Sequence, residues 1–186
     1  VLSTFEQRYR PSKPIELGAL ATHHIYDEEL VHCPPSSDFV LPATTRYIIG
    51  HNVDYDWAVA GRPPVKRICT LALARYFYPD IDSHNQSAML YLICRPEARE
   101  RLRNAHSALA DVQNCHTVLH HLIQRAGSIH TWDDLWQLSE HARVPRTMPF
   151  GKHRGMPIAN VPDDYKAWLL RQPDLDPYLI RALQTG

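Results

Sequence analysis

Tyr47-Ile48-Ile49-Gly50-His51-Asn52-Val53-Asp54-Tyr55-Asp56-Trp57 is the stretch that decides the fold. Its opening apolar run predicts a short buried strand that Gly50 ends. A brief helix is predicted from Asp54 to Ala60, with Gly61 and Pro63-Pro64 as its stops. Val65 to Cys69 reads as a second strand. Strands alternating with helices predict an α/β or mixed α+β domain. The passage from a buried strand into a helix start is a common place for catalytic groups in such folds. Carboxylates in a first helical turn are favoured by the helix dipole, so capping alone accounts for either Asp54 or Asp56. The capping account is stronger for Asp54. Asp56, beside Trp57, is the better candidate for pointing inward.

Outward from this unit, Val1 to Tyr9 alternates apolar and polar residues at period two. It predicts a half-buried strand, closed by Arg10-Pro11-Ser12-Lys13-Pro14. Residues 15–33 read as short helical or irregular pieces, and residues 34–38 as a loop. Downstream, Thr70 is expected to cap a helix through Phe77, and another helix is predicted from Gln86 to Ile93. The charged stretch Arg95 to Arg103 reads as a solvated connection with one helical turn after Pro96. A long amphipathic helix is predicted from Ala108 to Ala126, stopped by Gly127. Thr131 is expected to cap a helix through Ala142, and Val144-Pro145 marks a boundary. Beyond it lie a glycine-bounded basic turn, Phe150 to Gly155, and two helices, around Tyr165 to Leu170 and Pro177 to Leu183. Trp168 and Leu169 are expected in the core. This divides the chain into residues 1–144 and a small unit, 145–186.

The long helix holds a second acidic clue. At about 100° per residue, Ala108, Val112, Cys115, Leu119, Leu122 and Ile123 fall on one face. Asp111 lies inside that arc, between Cys115 and Val118. A carboxylate on a core-facing stripe is costly unless it meets a cation, a metal or several donors. An edge carboxylate paired with an arginine or a backbone N–H is the plainer account. His106 precedes Asp111 by five residues, about 140° around an ideal helix, so it faces the carboxylate only from a loop before the helix.

Composition narrows the classes. The 186 residues hold 20 Lys+Arg against 20 Asp+Glu and are 44% hydrophobic, enough for a packed core and against intrinsic disorder. Zero formal charge removes the simplest nucleic-acid argument, so a polyanion must be held by local charge or by metal ions. The four cysteines include no C-x-x-C pair, which disfavours a disulfide scaffold or structural zinc and fits reduced thiols in the cytoplasm. No apolar run approaches a membrane span. His116 and His120 at i, i+4 lie on the polar flank of the long helix with no supporting carboxylate or thiol.

His51-Asn52-x-x-Tyr55-Asp56, Ile68-Cys69-Thr70-Leu71 and His106-Ser107-Ala108-Leu109-Ala110-Asp111, taken in this order, resemble the DEDDh 3′→5′ exonucleases. Within that superfamily the exodeoxyribonuclease X branch is the most similar in look. Ala21-Thr22-His23-His24-Ile25 is similar to an Ile-His-Gly-Ile segment of the family, with departures. The resemblance implies a ribonuclease-H-like central mixed sheet flanked by helices. It implies Asp56 and Asp111 as ligands of two Mg²⁺ or Mn²⁺ ions, and His106 as the general base. His23, His51 and Asn52 are implied beside the terminal nucleotide. Two hard cations about 3.5–4 Å apart suit phosphodiester cleavage, and carboxylates are their natural ligands. The implied partner is a DNA 3′ end, with RNA open, a DNA-repair context and a homodimer allowed.

One family feature is missing: no strand carries the Asp-x-Glu that supplies the other two ligands. The expectation is that the chain starts after that hairpin, its first residue being Val1, so that the N-terminal strands are lacking. The alternatives are a non-catalytic nucleic-acid-binding or interaction protein on the same fold, or an exoribonuclease with the same chemistry. The tail resembles an accessory module found after such nuclease domains, where Lys152 and Arg154 are candidate phosphate contacts and a plain solvated turn is the competing account.

Overall fold

A computed structural model describes residues 3–104 and 107–185. In chain order its elements are α1 (Leu17–His23), β1 (Tyr47–Gly50), α2 (Val53–Val59), β2 (Lys66–Cys69), α3 (Thr70–Phe77), α4 (Gln86–Ile93), α5 (Arg95–Arg101), α6 (Ala108–Ala126), α7 (Trp132–Arg143), α8 (Asp163–Leu169) and α9 (Pro177–Thr185). Strands β1 and β2 pair in parallel, from Tyr47 opposite Lys66 to Gly50 opposite Cys69. A parallel pair needs a crossover, and α2 supplies it. Among the described residues the sheet has these two strands only, and helices form most of the core.

The core follows from the apolar stripes. Helix α3 packs on α6 and α7, and α4 on α6. Ile68, Leu73, Met89, Leu90, Leu122 and Leu135 are all at most 1% exposed where these elements meet. Their burial is the main driving force for this arrangement, each large aliphatic side chain contributing roughly 1.5–3 kcal/mol. The backbone N–H of Cys69 donates to Ser139 Oγ at 2.9 Å, fastening β2 to α7. Thr131 closes a capping box at the start of α7 as its sequence predicts, and Gly127 ends α6 with φ 72°.

Four expectations are corrected. Residues 3–9 form no strand, and Phe5 is 77% exposed. The nearest pairing is an isolated bridge between Arg10 and Pro35. Period-two alternation makes a strand only where a ladder partner exists, and none of the described residues supplies one. Thr70 is not a cap: it is the first residue of α3, and its hydroxyl lies 3.2 Å from the Gly50 carbonyl. The stretch after Pro96 is a full helix, because Pro96 suits a helix first turn and Ala98 is wholly buried. On α6, Ala108 and Val112 face solvent, and Asn114 is buried with Val118, Leu119 and Leu122. The inward stripe is thus rotated toward Asp111, Cys115 and Val118.

The tail has its own apolar cluster, with Met148, Ile158, Val161, Leu169, Leu179 and Leu183 buried together. Leu169 is in the core as predicted, whereas Trp168 is 46% exposed. Tyr178 of α9 connects this cluster to the body, its hydroxyl donating to Glu140 at 2.9 Å and its ring lying 5.1 Å from the Arg143 guanidinium.

Candidate active site

The site begins where β1 ends. A Cβ on Gly50 would come within 3.1 Å of Asp56 Oδ2 and 3.2 Å of Val53 Cα, so any side chain there makes α2 or the Asp56 carboxylate give by a few tenths of an ångström. Asn52 starts the turn in the left-handed region at φ 77°, a conformation asparagine tolerates. Val53, 1% exposed, then anchors α2 and directs Asp54 and Asp56 differently.

Asp54 does not cap. Its two oxygens accept from Arg67 Nη1 at 2.7 Å and from Arg143 Nη1 at 2.6 Å. This fork joins α2 to β2 and α7 and assigns Asp54 to architecture. Asp56 has no cationic partner among the described residues. Partial desolvation raises its carboxyl pKa above the ordinary range, opposed by its own backbone N–H. A carboxylate held in this way gains from an approaching cation.

Asp111 sits in the first turn of α6, half-buried, on the same stripe as Cys115 one turn on. Ser107 caps that turn by accepting from Ala110 N–H at 3.2 Å, and Gln86 Nε2 donates to the Asp111 carbonyl at 2.7 Å. The Cys115 sulfur is 3.7 Å from Thr70 Oγ1, at the end of β1 where Asp56 also packs. Burial pushes the Cys115 thiol up, with a smaller contribution from the charge on Asp56. Gly50, Thr70 and Cys115 thus form a chain of contacts from the neighbourhood of Asp56 to the turn of α6 that follows Asp111.

The other expected residues are distributed as follows. His51 is largely buried, with Nδ1 3.0 Å from Thr70 Oγ1 and Nε2 donating to the His84 carbonyl at 2.8 Å. Burial holds its pKa below the ordinary histidine value, partly offset by the His84 hydrogen bond and reinforced by Arg75. Both ring nitrogens have protein partners, so His51 braces the strand end. Asn52 is exposed beside Asp56. His23 ends α1, where its Nδ1 accepts the Ile25 N–H at 3.0 Å. His24 follows at φ 57°, the left-handed conformation that glycine favours. Lys152 and Arg154 are exposed on the tail's turn, and no described hydrogen bond or ion pair joins them to Asp56 or Asp111. His106 lies outside the described residues.

Two carboxylates match the donor type that Mg²⁺ and Mn²⁺ prefer, so the residues fit such ions in kind. In number they do not complete a site, since no group of three His, Cys, Asp or Glu suited to a metal occurs among the described residues. The residues that sequence reasoning missed are Arg143, Arg67 and Gln86, which hold α2 and α6 in place. No local pattern marks them, because their partners are distant in sequence.

Fold and site together define an α/β scaffold with the Asp56 carboxylate at the end of a parallel strand. A family described as "Putative quorum-sensing-regulated virulence factor" matches residues 137–174, from within α7 into the tail. Over nearly the whole chain the similarity is more particular. Exodeoxyribonuclease 10 of Escherichia coli strain K12 is 26% identical over 179 residues, covering 94% of this chain and 80% of that protein. Exodeoxyribonuclease 10 of Escherichia coli O6:H1 matches with the same 26% identity and the same coverage. The solved structure titled "Exonuclease X in complex with 5′ overhanging duplex DNA" superposes with a TM-score of 0.56 at 26% identity, covering 70% of this chain and 78% of that one. The resemblance to DEDDh exonucleases of the exonuclease X kind is borne out by these matches, as is the ribonuclease-H-like α/β fold.

Proposed function

We propose that this chain is a DNA exonuclease that removes nucleotides from 3′ ends with divalent metal ions. The observation that carries the reading is Asp56: a partly desolvated carboxylate with no ion-pair partner among the described residues, close to Gly50 at the end of β1. Similarity along 94% of the chain to exodeoxyribonuclease 10 supports the same substrate class.

In this reading Asp56 and Asp111 hold the ions, Mg²⁺ or Mn²⁺. Two more carboxylates, of the Asp-x-Glu kind, are expected on a strand beside β1. Bound divalent ions supply charge neutralisation of the phosphate and a more acidic bound water. His106 takes the proton of the attacking water as general base. Asn52, exposed one turn before Asp56, contacts the terminal nucleotide. His51 keeps the end of β1 and the start of α3 in register. Residues 145–186 act as an appended unit that adds phosphate contacts through Lys152 and Arg154.

The test is hydrolysis of 5′-labelled and 3′-labelled DNA and RNA oligonucleotides with Mg²⁺, Mn²⁺ or EDTA. It compares the 186-residue chain with a form extended through the reading frame upstream of Val1. Metal-dependent release of mononucleotides from DNA 3′ ends supports the reading. Metal-dependent cleavage confined to RNA moves the substrate class. DNA binding without cleavage by either form, with no strand-borne Asp-x-Glu in the frame, establishes a non-catalytic binder instead.

A further inference from the structure

The tail presents aromatic and cationic side chains that its own core uses only in part: Tyr165 packs against the apolar cluster, whereas Trp168, Lys152 and Arg154 are exposed. On α8, Tyr165 and Trp168 are one turn apart, with ring centroids 5.4 Å apart and planes inclined by 31°. On the same helix Lys166, Leu169 and the preceding Val161 are buried, yet Trp168 leaves 46% of its surface to solvent. The basic turn closes over Tyr165 from the other side. Lys152 Nζ is 5.1 Å from the Tyr165 ring centre, and the His153 ring meets it edge-on at 4.6 Å.

This arrangement is fixed before any ligand arrives. Gly151 adopts φ 72°, and a Cβ there would sit 2.8 Å from the Tyr165 hydroxyl, so turn and ring are fitted to one another. The Arg154 N–H donates to the Gly151 carbonyl at 3.1 Å, and the Gly155 N–H to the Met148 carbonyl at 2.8 Å. A preformed loop spares the ordering cost that a flexible basic segment meets on binding. Charge is segregated as well: from Arg146 to Pro162 the chain contains Arg146, Lys152 and Arg154 and no Asp or Glu. Asp163 and Asp164 come after this stretch, in the first turn of α8, where the helix dipole favours them.

We propose that this surface binds single-stranded DNA, with a base stacked on Trp168, Tyr165 and His153 holding that ring in place, and phosphates contacted by Lys152 and Arg154. An exposed indole next to a tyrosine that carries a lysine over its ring suits unpaired bases, whose faces are free, and not a duplex, whose bases already stack on each other. The choice of DNA rests on the nuclease reading above.

The test measures binding alone, in EDTA, with the whole chain and two fluorescein-labelled probes: (dT)15 and an abasic strand of equal length. Stacking predicts that the protein prefers (dT)15, and that Trp168→Ala weakens (dT)15 binding about 5- to 150-fold with little effect on the abasic strand. The pair Lys152→Ala and Arg154→Ala weakens both probes and reduces the salt slope by roughly 1.4. Trp168→Leu keeps apolar bulk without an aromatic face, and decides the matter should the alanine variant not fold. Equal binding of both probes by the unaltered protein, or (dT)15 affinity unchanged in a folded Trp168 variant, overturns the proposal. Hydrolysis measured separately with Mg²⁺, on the form extended upstream of Val1, keeps the two readings apart: cleavage without stacking rejects only this site, and stacking without cleavage rejects only the nuclease.

Discussion

Arg143 Nη1 lies 2.6 Å from Asp54 Oδ2, a contact that ties the last helix of the body to the helix presenting Asp56. The arginine side chain is 5% exposed, and its Nε and Nη2 have no hydrogen-bond partner among the described residues. Tyr178 covers the guanidinium from the tail. A buried cation so placed depends strongly on Asp54, since its second carboxylate, Glu140, stands 3.6 Å from Nε, beyond hydrogen-bond reach.

Asp54→Asn is therefore expected to destabilise the fold by roughly 1–3 kcal/mol. That is less than the 3–5 typical of a fully buried pair, because Asp54 itself is 46% exposed. A urea midpoint equal to that of the unaltered protein would show that the ion pair contributes nothing.

Asp56→Asn should behave in the opposite way. Its carboxyl is disfavoured in the charged form, so the amide leaves the urea midpoint level or slightly higher, whereas DNA hydrolysis in the active form is abolished. Asp111→Asn is expected to abolish hydrolysis equally. Full activity in both folded variants removes the acidic pair from the mechanism.

His106→Ala is expected to slow turnover at saturating Mg²⁺ by about 10²–10⁴-fold, the usual contribution of a general base. The comparison is made under single-turnover conditions, so that product release does not mask it. An unchanged rate excludes the imidazole.

Acid sensitivity should trace to His51. Its folded pKa lies below the unfolded value, so the unfolded chain binds more protons and stability is lost as pH falls below about 6.5. His51→Gln, which retains a donor and an acceptor, should flatten this limb of the stability–pH curve. A limb that persists unchanged belongs to other groups.

Alkaline sensitivity has a different origin. Burial, with Glu140 nearby, pushes the Tyr178 hydroxyl up to about 12, against the opposing effect of Arg143. The folded state thus retains a proton that the unfolded state releases, and stability falls as pH rises from about 10 toward 12. Urea melts across that range should show a shallower decline in Tyr178→Phe. Identical slopes would separate the tail's attachment from this titration.

Much of this was legible from local pattern. Strand β1, helix α6 and the Thr131 cap are specified by contiguous residues, and the structure has them where period and capping chemistry place them. The inward position of Asp111 was legible for the same reason, since the helical period fixes its angle relative to Val118 and Leu122. The failures concern partners distant in sequence. The alternation in residues 3–9 meets no ladder, and the Asp54 carboxylate finds Arg67 and Arg143 in place of a helix terminus. Val112 faces solvent because neighbouring helices, which the wheel does not contain, cover only part of the arc it defines. Trp168 was expected in the core on hydrophobicity alone, and its exposure is what marks the tail as a surface with a use.

Gly50 has a consequence for how this sequence can vary. Between the last peptide of β1 and the Asp56 carboxylate there is room for a hydrogen atom and little else, with backbone of α2 on the far side. A saturation library scored for hydrolysis should tolerate broad variation at Tyr55 and Val59, which face solvent, yet be depleted at Gly50 of side chains larger than alanine.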